Sequence, residues 1–205
     1  MIAFRFALLA SIGVAVTGMA VSSAPAAAQM FSAGYQFLEA VRERDGTKAT
    51  ELLGGPGGAT LVNTRDVTSG ETALHIVVAR RDMVWIRFLL QRRADSNIAN
   101  REGLTPLMAA TQIGFIDGVQ ALVGGGARVN GTNSRGETPL HIAVQRRDLP
   151  TVQALMALGA DATIQDSVTG KSPLDYARED GRSASIVAAL TAPPRSPAAP
   201  VAGPN

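Results

Sequence analysis

The sequence predicts an all-α fold, a solenoid of stacked helix-turn-helix units joined by finger loops. Three observations predict it. A glycine-led block recurs at Gly70, Gly103, Gly136 and Gly170, with spacings of 33, 33 and 34 residues. A fixed period of this size marks supersecondary units that bury their apolar faces on one another. Within each block apolar residues follow i, i+3, i+4 spacing, which makes one buried stripe per helix. Helix-start and helix-stop residues also stand at the same phase in successive blocks.

The elements follow in chain order within a block. Thr72, Thr105, Thr138 and Ser172 are expected N-caps, whose hydroxyls accept from the free N–H groups of the first turn. Pro106, Pro139 and Pro173 come next, at the first helical position, where a missing N–H costs nothing. The Gly70 block has Ala73 there. Leu74, Leu107, Leu140 and Leu174 point into the stack, and Val77, Ala110, Ala143 and Ala177 lie on the same face three residues on. The second helix of each block carries Ile86, Leu89 and Leu90; Val119, Leu122 and Val123; Val152, Leu155 and Met156; or Ile186, Ala189 and Leu190. Gly126 and Gly159 are placed to end that helix in a left-handed conformation. Arg93 occupies the same slot, so it must either adopt that backbone or end the helix differently. Arg81 and Arg147 likewise stand where glycine often closes the first helix.

These blocks resemble the ankyrin-repeat family, whose units read G-x-T-P-L-H-x-A-A and then V-x-x-L-L-x-x-G-A-D-x-N. The resemblance runs from about Tyr35 to Thr191 and rests on four in-phase copies. A fifth, degenerate copy precedes them. Phe37 to Ala40 aligns with Leu74 to Val77, and Leu52-Leu53 with Leu89-Leu90. Its offset is 37 residues, the excess lying in Gly54-Gly55-Pro56-Gly57, read as a flexible insertion. The expected units are 35–66, 67–99, 100–132, 133–166 and 167–191, the outer two acting as divergent caps.

The ends read differently. Arg5 is the single charge before Glu39, and the chain from Phe6 to Val21 is apolar or small. With Ala26-Ala27-Ala28 this reads as a signal peptide over 1–28, cleaved after Ala28, followed by a short lead over 29–34. The apolar run is shorter than the roughly 20 residues of a spanning helix, so no membrane association is expected after cleavage. The destination expected is the periplasm or the exterior, in the manner of exported bacterial proteins. Residues 192–205 hold five prolines without apolar periodicity and read as a disordered tail. The chain has no cysteine, which excludes disulfides and a lipid-modified Cys anchor.

No pattern for chemistry emerges. His75 and His141 fill the same slot 66 residues apart, roughly 20 Å at about 10 Å per helix layer, so they cannot share a metal. Each is expected to bond local backbone or the cap threonine. Asp82, Asp95, Asp148 and Asp161 recur at repeat positions, with Asp66 and Asp166 in turns between units, and read as structural. The glycine runs lack the strand-to-helix context and Lys of a phosphate loop. No catalytic residue, cofactor or metal is expected. The net charge is +2, from 19 basic and 17 acidic residues. Without a basic block and interleaved aromatics, this argues against nucleic acid.

What remains is a binding surface. The resemblance implies that finger loops and the exposed side of each first helix meet another protein. The positions so implied are Glu71, Arg80, Arg101, Glu102, Leu104, Gln112, Ile113, Arg135, Glu137, Gln145, Arg146 and Lys171. Mixed charge around Leu104 and Ile113 suits a protein partner better than a polyanion. A monomeric, non-enzymatic protein-protein interaction module is the expectation. An accessory or protective subunit of a periplasmic enzyme, or an exported effector or immunity-type protein, would share the same fold. Trp85 is read as core packing.

Overall fold

The computed structural model describes residues 26–181 and 183–192. The expected signal segment up to residue 25 and the tail from residue 193 lie outside the described residues. Among those described, the regular elements are all helical. They are α1 (Ala26–Glu43), α2 (Gly46–Gly54), α3 (Gly58–Leu61), α4 (Ala73–Ala79), α5 (Met83–Gln91), α6 (Pro106–Gln112), α7 (Ile116–Gly124), α8 (Pro139–Gln145), α9 (Leu149–Ala157), α10 (Pro173–Glu179) and α11 (Ala184–Thr191).

The helices form two rows. First helices α1, α4, α6, α8 and α10 pack in sequence, and second helices α5, α7, α9 and α11 do the same behind them. The core runs along the seam. Leu74, Leu107 and Leu140 are buried with Val77, Ala110, Ala143 and Ala177, while Leu174, in the last unit, is half-buried. In the second row Ile86, Leu89, Val119, Leu122, Val152, Leu155, Ile186 and Leu190 are buried. Leu90, Val123, Met156 and Ala189 are half-buried at the edge of the stripe. Each fully buried leucine contributes about 1.5–3 kcal/mol. Small Ala at the i+3 site lets the short first helices approach closely. Trp85 packs in the core edge-on to Phe88, ring centroids 5.4 Å apart.

The caps stand where the sequence puts them. Thr105 accepts from the Met108 N–H at 3.3 Å, Thr138 from His141 at 3.4 Å and Ser172 from Asp175 at 3.2 Å. Asp82 and Asp148 cap the second helices, accepting from Trp85 and Thr151 N–H groups. Phe115 holds the equivalent place in unit three and offers no side-chain cap.

The glycine slots resolve toward the left-handed option. Arg93 has φ 63°, beside 94° and 89° for Gly126 and Gly159. Arg81 and Arg147 both have φ 56°, and Arg44 has φ 62°. A non-glycine residue pays roughly 1 kcal/mol for this backbone. Three of these arginines also reach forward by one unit. Arg44 pairs with Asp82 at 3.4 Å, Arg81 donates to the Ile113 carbonyl, and Arg147 Nε donates to Asp180 at 2.7 Å.

The first unit departs most from the expectation. α1 runs through Gln29–Gly34, so the segment read as a lead is helical. Phe37, Leu38, Ala40 and Val41 are buried against the second unit, and Leu52 and Leu53 are half-buried. The glycine-rich stretch, expected to be flexible, leads into α3 instead. Gly57 takes φ 80°, and a Cβ on the buried Gly58 would lie 1.9 Å from the Leu53 carbonyl oxygen. Only glycine fits there.

Candidate functional site

Each finger closes on itself before its first helix starts. Asp66 N–H donates to Glu71 O, Asn100 to Leu104 O, Asn133 to Glu137 O and Asp166 to Lys171 O, at 2.7–3.0 Å. An Asp or Asn side chain at the start of each finger accepts from N–H groups two to four residues on. For Asp66, the Ser69 and Thr68 N–H groups and the Arg42 guanidinium bring the pKa down to about 2. Asp166 is held far below the usual carboxylate range by the Thr169 N–H and hydroxyl, with Tyr176 and Val168 adding to it. These carboxylates are spent on loop geometry.

The histidines join units. His141 Nδ1 accepts from Thr138 N–H at 3.0 Å, and its Nε2 donates 3.1 Å to the Lys171 carbonyl of the next unit. His75 repeats this with Thr72 at 3.1 Å and the Leu104 carbonyl at 2.9 Å. A carbonyl can only accept, so both rings carry the proton on Nε2. The expected local bond is present, and the second bond to the neighbouring finger is one that the repeat pattern did not disclose. Burial pushes the His75 imidazole below its ordinary pKa, against the opposing pull of the Leu104 carbonyl. Among the described residues no group of three or more His, Cys, Asp or Glu could hold a metal.

Seven of the twelve implied surface positions converge. Glu102, Leu104, Gln112, Arg135, Glu137, Gln145 and Arg146 line one groove between units three and four, with Asn133 and Ile142. Its volume near the helices is about 380 Å³. Glu137 is buried in its wall and accepts from Asn133 at 2.8 Å, Arg135 at 2.7 Å and Gln145 at 3.1 Å. Burial alone would raise the Glu137 pKa; these donors and the Arg135 charge outweigh it and lower it. Arg135 is thereby held with its charge neutralised.

The other five positions lie apart. Arg80 is half-buried and faces the first unit: its Nη1 donates 2.5 Å to the Val41 carbonyl, and its guanidinium lies 5.6 Å from the Trp85 ring centroid. Arg101 bonds the Val67 carbonyl of the preceding finger. Glu71 accepts from the Ser69 hydroxyl, and the Ile113 carbonyl accepts from Arg81. Lys171 pairs with Glu179 at 2.6 Å. A larger cleft of about 660 Å³ opens between α5 and α7 on the second-helix side, where none of the implied positions lies. Sequence reasoning did not find Ile142 or Asn133, because both sit at repeat positions that elsewhere serve only structure.

Two family models match the chain, one for ankyrin repeats in three copies over residues 37–133 and one for ankyrin repeats in many copies over residues 122–177. An ankyrin repeat protein of fowlpox virus (strain NVSL) is 40% identical over 50 residues, which is 24% of this chain and 15% of the viral protein. The match thus spans a small part of that relative's length. Repeats of this kind are protein-protein interaction modules. With their signature running over residues 37–177, from within α1 into α10, the chain belongs to the ankyrin-repeat family.

Proposed function

We propose that this chain is a non-enzymatic binding protein that is exported, loses residues 1–28, and holds a protein partner on the face built by its fingers and first helices. The observation that carries the reading is the convergence of seven implied positions on one groove between units three and four. The stack supports it physically. Fingers tied by carboxylate turns and cross-unit bonds present their side chains in a fixed array, which lowers the ordering cost of docking. The histidines and most aspartates are engaged in caps, turns and cross-unit bonds, which also favours binding over catalysis. Export is supported by the sequence pattern of the first 28 residues, and among the described residues no helix is long and apolar enough to cross a membrane.

The test is affinity capture from periplasmic extract with the wild-type chain and with a variant carrying Leu104→Asp, Gln112→Ala and Arg135→Ala. The wild type is expected to retain a partner that the variant loses, with the variant's helical circular dichroism intact. Equal capture by both would overturn the groove reading. Export is tested separately by fractionation and N-terminal sequencing. The expected first residue is Gln29, and a full-length chain in the cytosol would refute export.

A further inference from the structure

Two cross-ties hold neighbouring units together, and both are missing at the same place. The first is the forward-reaching arginine past the first helix, present as Arg44, Arg81 and Arg147. Unit three has Gly114 in this slot. No arginine therefore reaches forward to Arg146, the residue that corresponds to Ile113 and Asp180 in the neighbouring units. The second is the first-helix histidine whose Nε2 donates to the finger carbonyl of the next unit, His75 to Leu104 at 2.9 Å and His141 to Lys171 at 3.1 Å. Unit three has Met108 in that slot, which cannot make this bond. The groove lies where both ties lapse.

The charges in the groove are then unequal. Arg135 and Glu137 neutralise one another at 2.7 Å. The Arg146 guanidinium and the Gln112 carboxamide have no hydrogen bond or ion pair among the described residues, and both line the groove beside Leu104 and Ile142. The Glu102 carboxylate, equally without a hydrogen bond or ion pair among the described residues, lines the fingertip end. An unpaired guanidinium fork beside an apolar floor favours a carboxylate held by two parallel bonds. A free carboxylate at the other end opposes a second anion, which disfavours polyanions such as nucleic acid.

We infer that the groove between units three and four takes an extended, carboxylate-bearing peptide segment of a partner protein, the carboxylate seating on Arg146. The Gln112 carboxamide bonds the segment's main chain, and an apolar side chain covers Leu104 and Ile142. Glu102 sets the direction by excluding the acidic end from the fingertips. The inference rests on the proposed function and adds the partner's chemistry to it.

Phage-displayed random octapeptides, selected in parallel on the purified chain and on its Arg146→Glu variant, test it. The wild type is expected to enrich Asp or Glu at one fixed position, and Arg146→Glu to replace it there with Lys or Arg. The best wild-type peptide should bind Arg146→Gln about tenfold to a hundredfold more weakly, as for loss of a charge-assisted bond. Arg146 is exposed, so melting temperatures should match across the variants, which separates binding from folding. An acid-free consensus, no enriched peptide, or acid enrichment unmoved by charge reversal would overturn the inference. Acid-free peptides that lose binding to Leu104→Asp would do so while sparing the groove reading. Peptides that bind every groove variant as well as the wild type would overturn both.

Discussion

At the residue scale the chain turns polar side chains inward as connectors, and His75 is the clearest case. Its Nδ1 accepts from the Thr72 N–H and its Nε2 donates to Leu104 in the next unit. A proton on Nδ1 would abolish the first bond and charge a buried ring, so the folded pKa lies below the unfolded one. The unfolded chain therefore binds more protons in this window. Stability from His75 is full above the unfolded pKa near about 6.5 and falls as pH drops toward the folded value. Thermal melts between neutral and mildly acid pH should show this decline, and His75→Gln should flatten part of it. Equal slopes for both proteins would dismiss the assignment. The slot of each histidine, cap threonine and cap proline was legible in the sequence because capping is settled within four residues. The partners of Glu137 and the carbonyl bonded by each histidine were not, since they depend on which finger lies alongside.

At the element scale the helices are short, and their ends carry much of the organisation. Arg93 and Arg81 share a left-handed backbone but differ in what their side chains do. The Arg93 guanidinium has no hydrogen bond or ion pair among the described residues, whereas that of Arg81 bonds the Ile113 carbonyl and lies 5.7 Å from the Phe115 ring centroid. Arg93→Gly should thus raise stability by about 0.5–1 kcal/mol, through relief of backbone strain. Arg81→Ala keeps the strain and loses the contact, so it should lower stability by about 1 kcal/mol. Urea unfolding of the two variants gives the signs, and a shared sign would refute the distinction. Leu140→Ala, at a fully buried site, should cost about 2–5 kcal/mol in the same assay, and an unchanged midpoint would mean that this face is not core. Apolar spacing made the paired helices readable. The arginines left two backbone options open, because the αL state of a non-glycine residue is decided by the turn around it. α3 was missed because one helical turn is too short to show a period.

At the scale of the whole molecule, each unit touches only its neighbours, which is why a period of 33 residues was enough to predict the stacking order and the seam of the core. It was not enough to locate the groove, which arises where unit three lacks ties that its neighbours possess. Such a chain is quasi-one-dimensional, so damage at one boundary should remain near it. Gly136 offers a sharp trial. Its φ is 78°, and a Cβ would stand 2.5 Å from the Ser167 backbone nitrogen, which donates 2.8 Å to the Arg135 carbonyl. Because the obstacle is backbone rather than a mobile side-chain end, the fingers of units four and five must separate. Gly136→Ala should cost at least about 1 kcal/mol. Its effect should be uneven: amide exchange should quicken in α10 and α11, which have no unit beyond them among the described residues. α4 and α5 should retain their protection, since the ties from unit two to its neighbours are untouched. Exchange measured across the stack decides the matter, for an even rise in every helix would show that the units unfold as one block and that the boundaries are not separable.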